Sequence, residues 1–172
     1  MIPLGAPMRL GLWLLLACLF TVLAGCASRL RAPSAEAAEL PRWSGRLAVR
    51  VDSEPRQSVS AGFELRGSPE RGELALFTPV GSTAAVLSWA PGLAVLRESG
   101  GEPRGFPSLE ALITHALGTQ VPVETLFDWL RGRPGQAEGW QADLSRHAEG
   151  RLVARRDSPA PPAELRIVLE TP

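Results

Sequence analysis

The sequence has no lysine and no tyrosine, and its only two cysteines, Cys18 and Cys26, fall within the first 26 of 172 residues. No disulfide can brace the body of the chain, and no thiol there can serve as a nucleophile or complete a cysteine-based metal site. Histidine is almost as scarce. His115 lies in a helical pattern and His147 in a polar turn, neither with the spacing of an HExxH or CxxC ligand set, so no metal is expected. GxSxG, P-loop and GxGxxG motifs are absent, and the carboxylate pairs Glu36/Glu39 and Asp52/Glu54 fall in a linker and a turn. The reading is therefore a protein that is not an enzyme, with no catalytic residue and no cofactor. The absence of lysine makes every basic residue an arginine, which reflects codon bias rather than mechanism. Beyond residue 25 the chain holds 17 basic and 18 acidic side chains, and near-neutrality argues against nucleic acid as a partner.

The N-terminus is rich where the rest is ordinary. Arg9 precedes LGLWLLLACLFTVLAGC, whose uncharged stretch from Leu10 to Gly25 is 16 residues, short of the roughly 20 that span a bilayer and in keeping with a secretory signal. Leu23-Ala24-Gly25-Cys26 resembles the lipobox of bacterial lipoproteins, in which the signal is cut before a cysteine that carries the lipid. The alternative is a secreted protein with a spare cysteine. The expected layout is a lipoprotein signal over 1–25, the lipidated Cys26 and a flexible tether over 26–42, and one domain over 43–172. The 147 residues from Cys26 onward suffice for a single core and not for two.

Strand-like alternation begins after Trp43. GRLAVRVD and SVSAGFELR each place apolar residues on one side, GELALFT, TAAVLSWA and PGLAVLRE follow, and short turns between them predict an antiparallel meander. The last three are apolar on both faces, so each face must be covered or must hold something. Helical period then appears twice. SLEALITHALG starts at a Ser108 N-cap and stops at Gly118, while VPVETLFDWLRG has Pro122 in its first turn, Leu126, Phe127 and Leu130 on one face, and Gly132 just past its end. GWQADLSR, GRLVARRD and AELRIVLE return to strand pattern. Five strands, two helices and three strands predict an α+β fold, a strongly curved antiparallel sheet forming an open, incomplete β-barrel with the helices as a lid over an apolar cavity. Candidate lining residues are Leu47, Val49, Phe63, Leu74, Leu76 and Val86 on the strands and Leu126, Phe127 and Leu130 on the second helix. Each of them fits an ordinary solid core equally well.

One turn does not fit a plain scaffold. In FTPVGST, residues 77–83, Pro79 and Gly81 are ordinary turn residues, but Val80 between them has little reason to face water. It either folds back onto Phe77 or Trp89 or projects as an apolar probe.

Taken in order, the lipobox, the tether, TPVGST between sheet strands and PVETLFDWLRGRPG resemble the LolB family, outer-membrane receptors of the bacterial lipoprotein localisation system. The family's turn is filled here by Thr78, Pro79, Val80, Gly81, Ser82 and Thr83, and its helix pattern by Pro122, Leu126, Trp129, Leu130, Gly132, Pro134 and Gly135. The resemblance implies an open barrel whose cavity accepts acylated lipoproteins from a periplasmic carrier of the LolA type and delivers them into the outer membrane, with Pro79, Val80 and Gly81 as the membrane-inserting loop. It also implies a monomer anchored to the outer membrane and facing the periplasm. Ala27-Ser28 lack the aspartate that retains enterobacterial lipoproteins in the inner membrane. Two departures stand out: Val80 replaces the leucine more usual at the tip, and the region after Trp140 is short, which implies a more open barrel there. The competing reading is a structural or envelope-assembly lipoprotein with a solid core.

Overall fold

The computed structural model describes residues 40–170, within a compact unit that runs from Glu39 to Pro172. The expected signal, Cys26 and nearly all of the tether lie outside the described residues. Strands β1 (Arg42–Val51), β2 (Gln57–Gly67), β3 (Gly72–Phe77), β4 (Thr83–Ala90), β5 (Leu93–Glu98) and β6 (Arg104–Phe106) form a meander. Helices α1 (Leu109–Leu117) and α2 (Val123–Leu130) follow, then β7 (Trp140–Asp143), β8 (Arg151–Arg156) and β9 (Ala163–Leu169). All nine join one antiparallel sheet in the order β6-β5-β4-β3-β2-β1-β9-β8-β7. The edges are β6 and β7, and the two helices lie in the connection between them.

Nine strands replace the eight expected. The addition is β6, whose three residues Arg-Gly-Phe are too few to show an alternation and are set only by pairing Phe106 with Ala94 and Arg104 with Leu96. Strand β7 is cut to four residues, in line with the short region after Trp140.

The period of two sorts each strand onto two faces. Register aligns Trp43 with Leu65, Leu65 with Leu74, Leu74 with Leu87 and Leu87 with Leu96, so these share the concave face on which the helices pack. On the far side of β1 the same face carries Ala163, Leu165 and Ile167 of β9 and Leu152 and Ala154 of β8, all buried. The convex face of β1, β8 and β9 is arginine-rich, with Arg46, Arg50, Arg151, Arg155 and Arg166 exposed. There Glu164 is pushed up by burial, but hydrogen bonds from Arg166 and Arg155 outweigh that and hold its carboxyl below the usual range.

Local chemistry fixes the helices. Ser108 Oγ accepts from the Ala111 N–H at 3.1 Å and Gly118 closes α1 in the left-handed region. Helix α2 starts after Pro122, which occupies the N-cap rather than the first turn and leaves its carbonyl to accept from Leu126.

Candidate functional site

The turn between β3 and β4 is a rigid three-residue loop. Thr78 and Ser82 close it, the Thr78 N–H donating to the Ser82 carbonyl at 2.9 Å and the Ser82 N–H reaching Thr78 Oγ1 at 3.2 Å. The Gly81 N–H donates to the Thr78 carbonyl at 2.9 Å, and among the described residues none other than glycine has positive φ, so Pro79 and Val80 occupy the centre of a type I turn. Gly81 follows at φ 83°, the left-handed residue that such a loop requires. Pro79 removes one degree of freedom and Thr78 clamps the base. What they hold out is Val80, 87% exposed and the most exposed large apolar side chain among the described residues. It does not fold back onto Phe77 or Trp89.

The concave face divides in two. Where α2 lies, it is solid: Phe127 is 2% exposed, with its ring 5.7 Å from Trp43 and 6.5 Å from Trp89, both edge-on. Phe63 and Leu130 are 3% exposed and Val49 8%. On β2, β3 and β4 toward the Val80 turn coverage thins, while Val49 and Val51 of β1 stay buried at the same end. Leu47, Leu74 and Leu76 are only partly buried, as are Ala61 and Ala85 beside them and Leu126 on α2. Leu130 instead borders a cleft of about 640 Å³ at the opposite end, with Trp43, Leu65 and Leu169.

Of the nine candidate lining residues, the structure brings Leu47, Leu74, Leu76 and Leu126 together as partly open apolar surface. Val49, Phe63, Phe127 and Leu130 belong to the packed core. Val86 is on the wrong side. It pairs with Ala75 and Arg97 and alternates with the buried Leu87, which places it on the convex face. In a strand apolar on both faces, alternation cannot say which set points inward, and only the register decides. The small residues Ala61 and Ala85 were not among the candidates because their size gives no hydrophobic signal.

The motif WLRGRPG explains itself as the anchor of α2. The Arg133 N–H donates to the Asp128 carbonyl and the Gly132 N–H to the Trp129 carbonyl, each at 2.9 Å, the paired bonds of a Schellman cap. Trp129, fully buried, donates its indole N–H to the Gly135 carbonyl at 3.1 Å, and the His147 ring donates to the Leu130 carbonyl at 3.1 Å. Gly132 sits at φ 72°, and a Cβ there would lie 2.8 Å from His147 Nδ1. Gly132→Ala is therefore expected to cost about 1–3 kcal/mol of stability through strain at a left-handed position, read as a lower urea midpoint with unchanged slope.

Arg156 was not anticipated. It is 6% exposed and has no carboxylate partner among the described residues. Its guanidinium lies 5.6 Å from the Trp140 ring centre and donates to Thr119 Oγ1 and to the carbonyls of Gln120 and Pro161. It thus ties the loop between the helices to the β8–β9 turn through neutral oxygens.

Known proteins resemble this chain over the same span. The family model described as outer membrane lipoprotein LolB matches residues 42–159. An outer-membrane lipoprotein LolB of Bordetella petrii is 35% identical over 90% of this chain and 89% of its own length. Relatives of the same name are 34% identical in Cupriavidus pinatubonensis, over 77% of this chain and 65% of theirs, and 38% identical in Halorhodospira halophila, over 71% and 63%.

Proposed function

This chain belongs to the LolB family of outer-membrane lipoproteins, and on that premise we propose that it is a receptor that passes acylated lipoproteins into the outer membrane. It is held there by a lipid on Cys26, faces the periplasm, and takes its cargo as a monomer from a carrier of the LolA type. The observation that carries this reading is Val80, an aliphatic side chain held 87% exposed on a rigid turn beside the partly open apolar rows of Leu47, Leu74 and Leu76.

The physics of the task asks for little more. Each methylene of an acyl chain costs about 0.8 kcal/mol to expose to water, so a lipoprotein crosses the periplasm only while its chains are shielded. An apolar groove between sheet and helices shields them, and an apolar tip at its margin gives them a short path into the bilayer. Acceptance and release are changes of apolar surroundings. Neither step needs a nucleophile or a nucleotide.

A fluorescent fatty-acid analogue titrated into residues 39–172 tests the groove. Saturable binding is expected, weakened about tenfold or more by Leu76→Glu, which sets a carboxylate in the partly open row without entering the packed core. No saturable binding by the unaltered domain would remove the receptor reading and favour the structural lipoprotein. Co-purification with an acylated lipoprotein identifies the natural cargo.

The anchor has its own test. Cys26→Ala, exported behind an ordinary cleavable signal in place of residues 1–25, is expected to yield a folded protein released from membranes by a high-salt wash, since the chain beyond residue 26 holds no cysteine to pair with that sulfur. Retention in the washed membrane fraction would show that the anchor lies elsewhere.

A further inference from the structure

The convex side of strands β3, β4 and β5 is partly apolar too, and among the described residues no helix or strand packs on it. Both helices pack on the concave face, Phe127 against Trp43 and Trp89, and Phe106 of the same face against His115 of α1. On the other face Phe77 lies over Gly62, where a Cβ would meet its ring at 3.9 Å. Ala75 and Val86 sit opposite each other, and Val95 stands on β5 opposite Ser88. All four are half-buried, with no helix or strand above them among the described residues. The patch is continuous with the Val80 turn, because Phe77 is the residue that leads into it.

We propose that the β3–β4 hairpin enters the bilayer interface with its convex side down, Val80 deepest and Phe77, Ala75 and Val86 resting at the boundary between acyl chains and headgroups. This rests on the reading of Val80 as a membrane contact and adds the surface and the tilt that go with it. At about 3.3 Å per residue, Val86 stands roughly 10 Å from the Thr83 end of its strand, the depth to which interfacial elements bury. Arg97, directly across from Val86, then reaches the phosphates, while the exposed Glu64, across from Ala75, and Glu73 mark the margin at which the patch leaves the interface. The neighbouring tips cannot follow. The β1–β2 turn carries Asp52 and Glu54 and the β5–β6 turn carries Glu102, all disfavoured in hydrocarbon. One hairpin enters while its neighbours stay in water.

The body of the chain has no cysteine beyond Cys26, so single cysteines can carry an environment-sensitive fluorophore without competition. The full lipidated chain, labelled in turn at Val80→Cys, Val86→Cys and Glu70→Cys, is reconstituted in phosphatidylethanolamine/phosphatidylglycerol vesicles containing spin-labelled lipid. Quenching is expected to be strong at position 80, intermediate at 86 and absent at 70, which is exposed in the β2–β3 turn at the opposite end of the sheet. Quenching at 80 with none at 86 would overturn the tilted hairpin while leaving the tip reading intact, and no quenching at either would remove both. A label at 86 that is shielded only when a carrier protein is added would assign the patch to a protein partner and overturn the proposal. Val86→Glu is expected to lower transfer into these vesicles severalfold with fatty-acid binding unchanged. Unchanged transfer would count against the proposal.

Discussion

Val80→Glu is expected to cut the delivery of an acylated lipoprotein into liposomes about tenfold or more, while folding and cargo acceptance stay intact. A side chain that is 87% exposed makes few contacts to lose, so the substitution costs the fold no more than about 0.5 kcal/mol. The turn does not depend on it either, since Thr78, Pro79 and Gly81 set its geometry. A carboxylate at the tip, by contrast, resists hydrocarbon by a few kcal/mol, and every 1.4 kcal/mol is tenfold. Cargo is expected to accumulate on the receptor. Val80→Leu moves the other way, adding roughly 0.8 kcal/mol of transfer for its extra methylene. The order of delivery is Leu, Val, Glu, and equal delivery by the Val and Glu forms would reduce this turn to a connection.

Phe127→Glu is expected to unfold the domain. Its position on an amphipathic helix facing a two-sided apolar sheet suggests a cavity wall, where a charge would weaken ligand binding more than stability. The structure corrects that expectation. Phe127 is wedged between the Trp43 and Trp89 rings at 2% exposure, with Arg131 stacked 5.7 Å above it. Truncating such a ring to alanine alone costs about 3–5 kcal/mol, and an unpaired buried carboxylate adds to it, against a total stability of about 5–15 kcal/mol. Circular dichroism is expected to show no cooperative melt for Phe127→Glu and a much lowered one for Phe127→Ala. A Phe127→Glu domain that melts near the parent and binds fatty acid poorly would restore the cavity-wall reading.

How much of this was legible beforehand follows from where each signal resides. The caps of α1 and the Gly132 stop of α2 were readable because Ser and Gly act there through their own backbone and side-chain chemistry. The exposure of Val80 was readable as a question, since Pro79 and Gly81 define the turn, but whether the side chain folds back depends on packing three dimensions away. Val86 was misplaced because AAVLSW has no polar face to break the symmetry between inside and outside. Strand β6 and the buried Arg156 share a cause. Both are defined by partners distant in sequence, Ala94 and Leu96 for the one and Thr119, Gln120 and Pro161 for the other.

Strand β1 comes first in the body of the chain yet sits in the interior of the sheet, with β2 on one side and the final strand β9 on the other. Its pairing with β2 is local and can form as soon as the first hairpin does. Its pairing with β9, Leu47 against Ile167 and Val49 against Leu165, joins the two ends of the domain. Until the last strand arrives, β1 presents a naked edge with Leu47, Val49 and Val51 beside it, the arrangement most prone to pair with a stranger. Such long-range closure places folding in the slower, millisecond-to-second class. A protein that shields the greasy ends of others therefore passes through an interval in which it is itself the unshielded one.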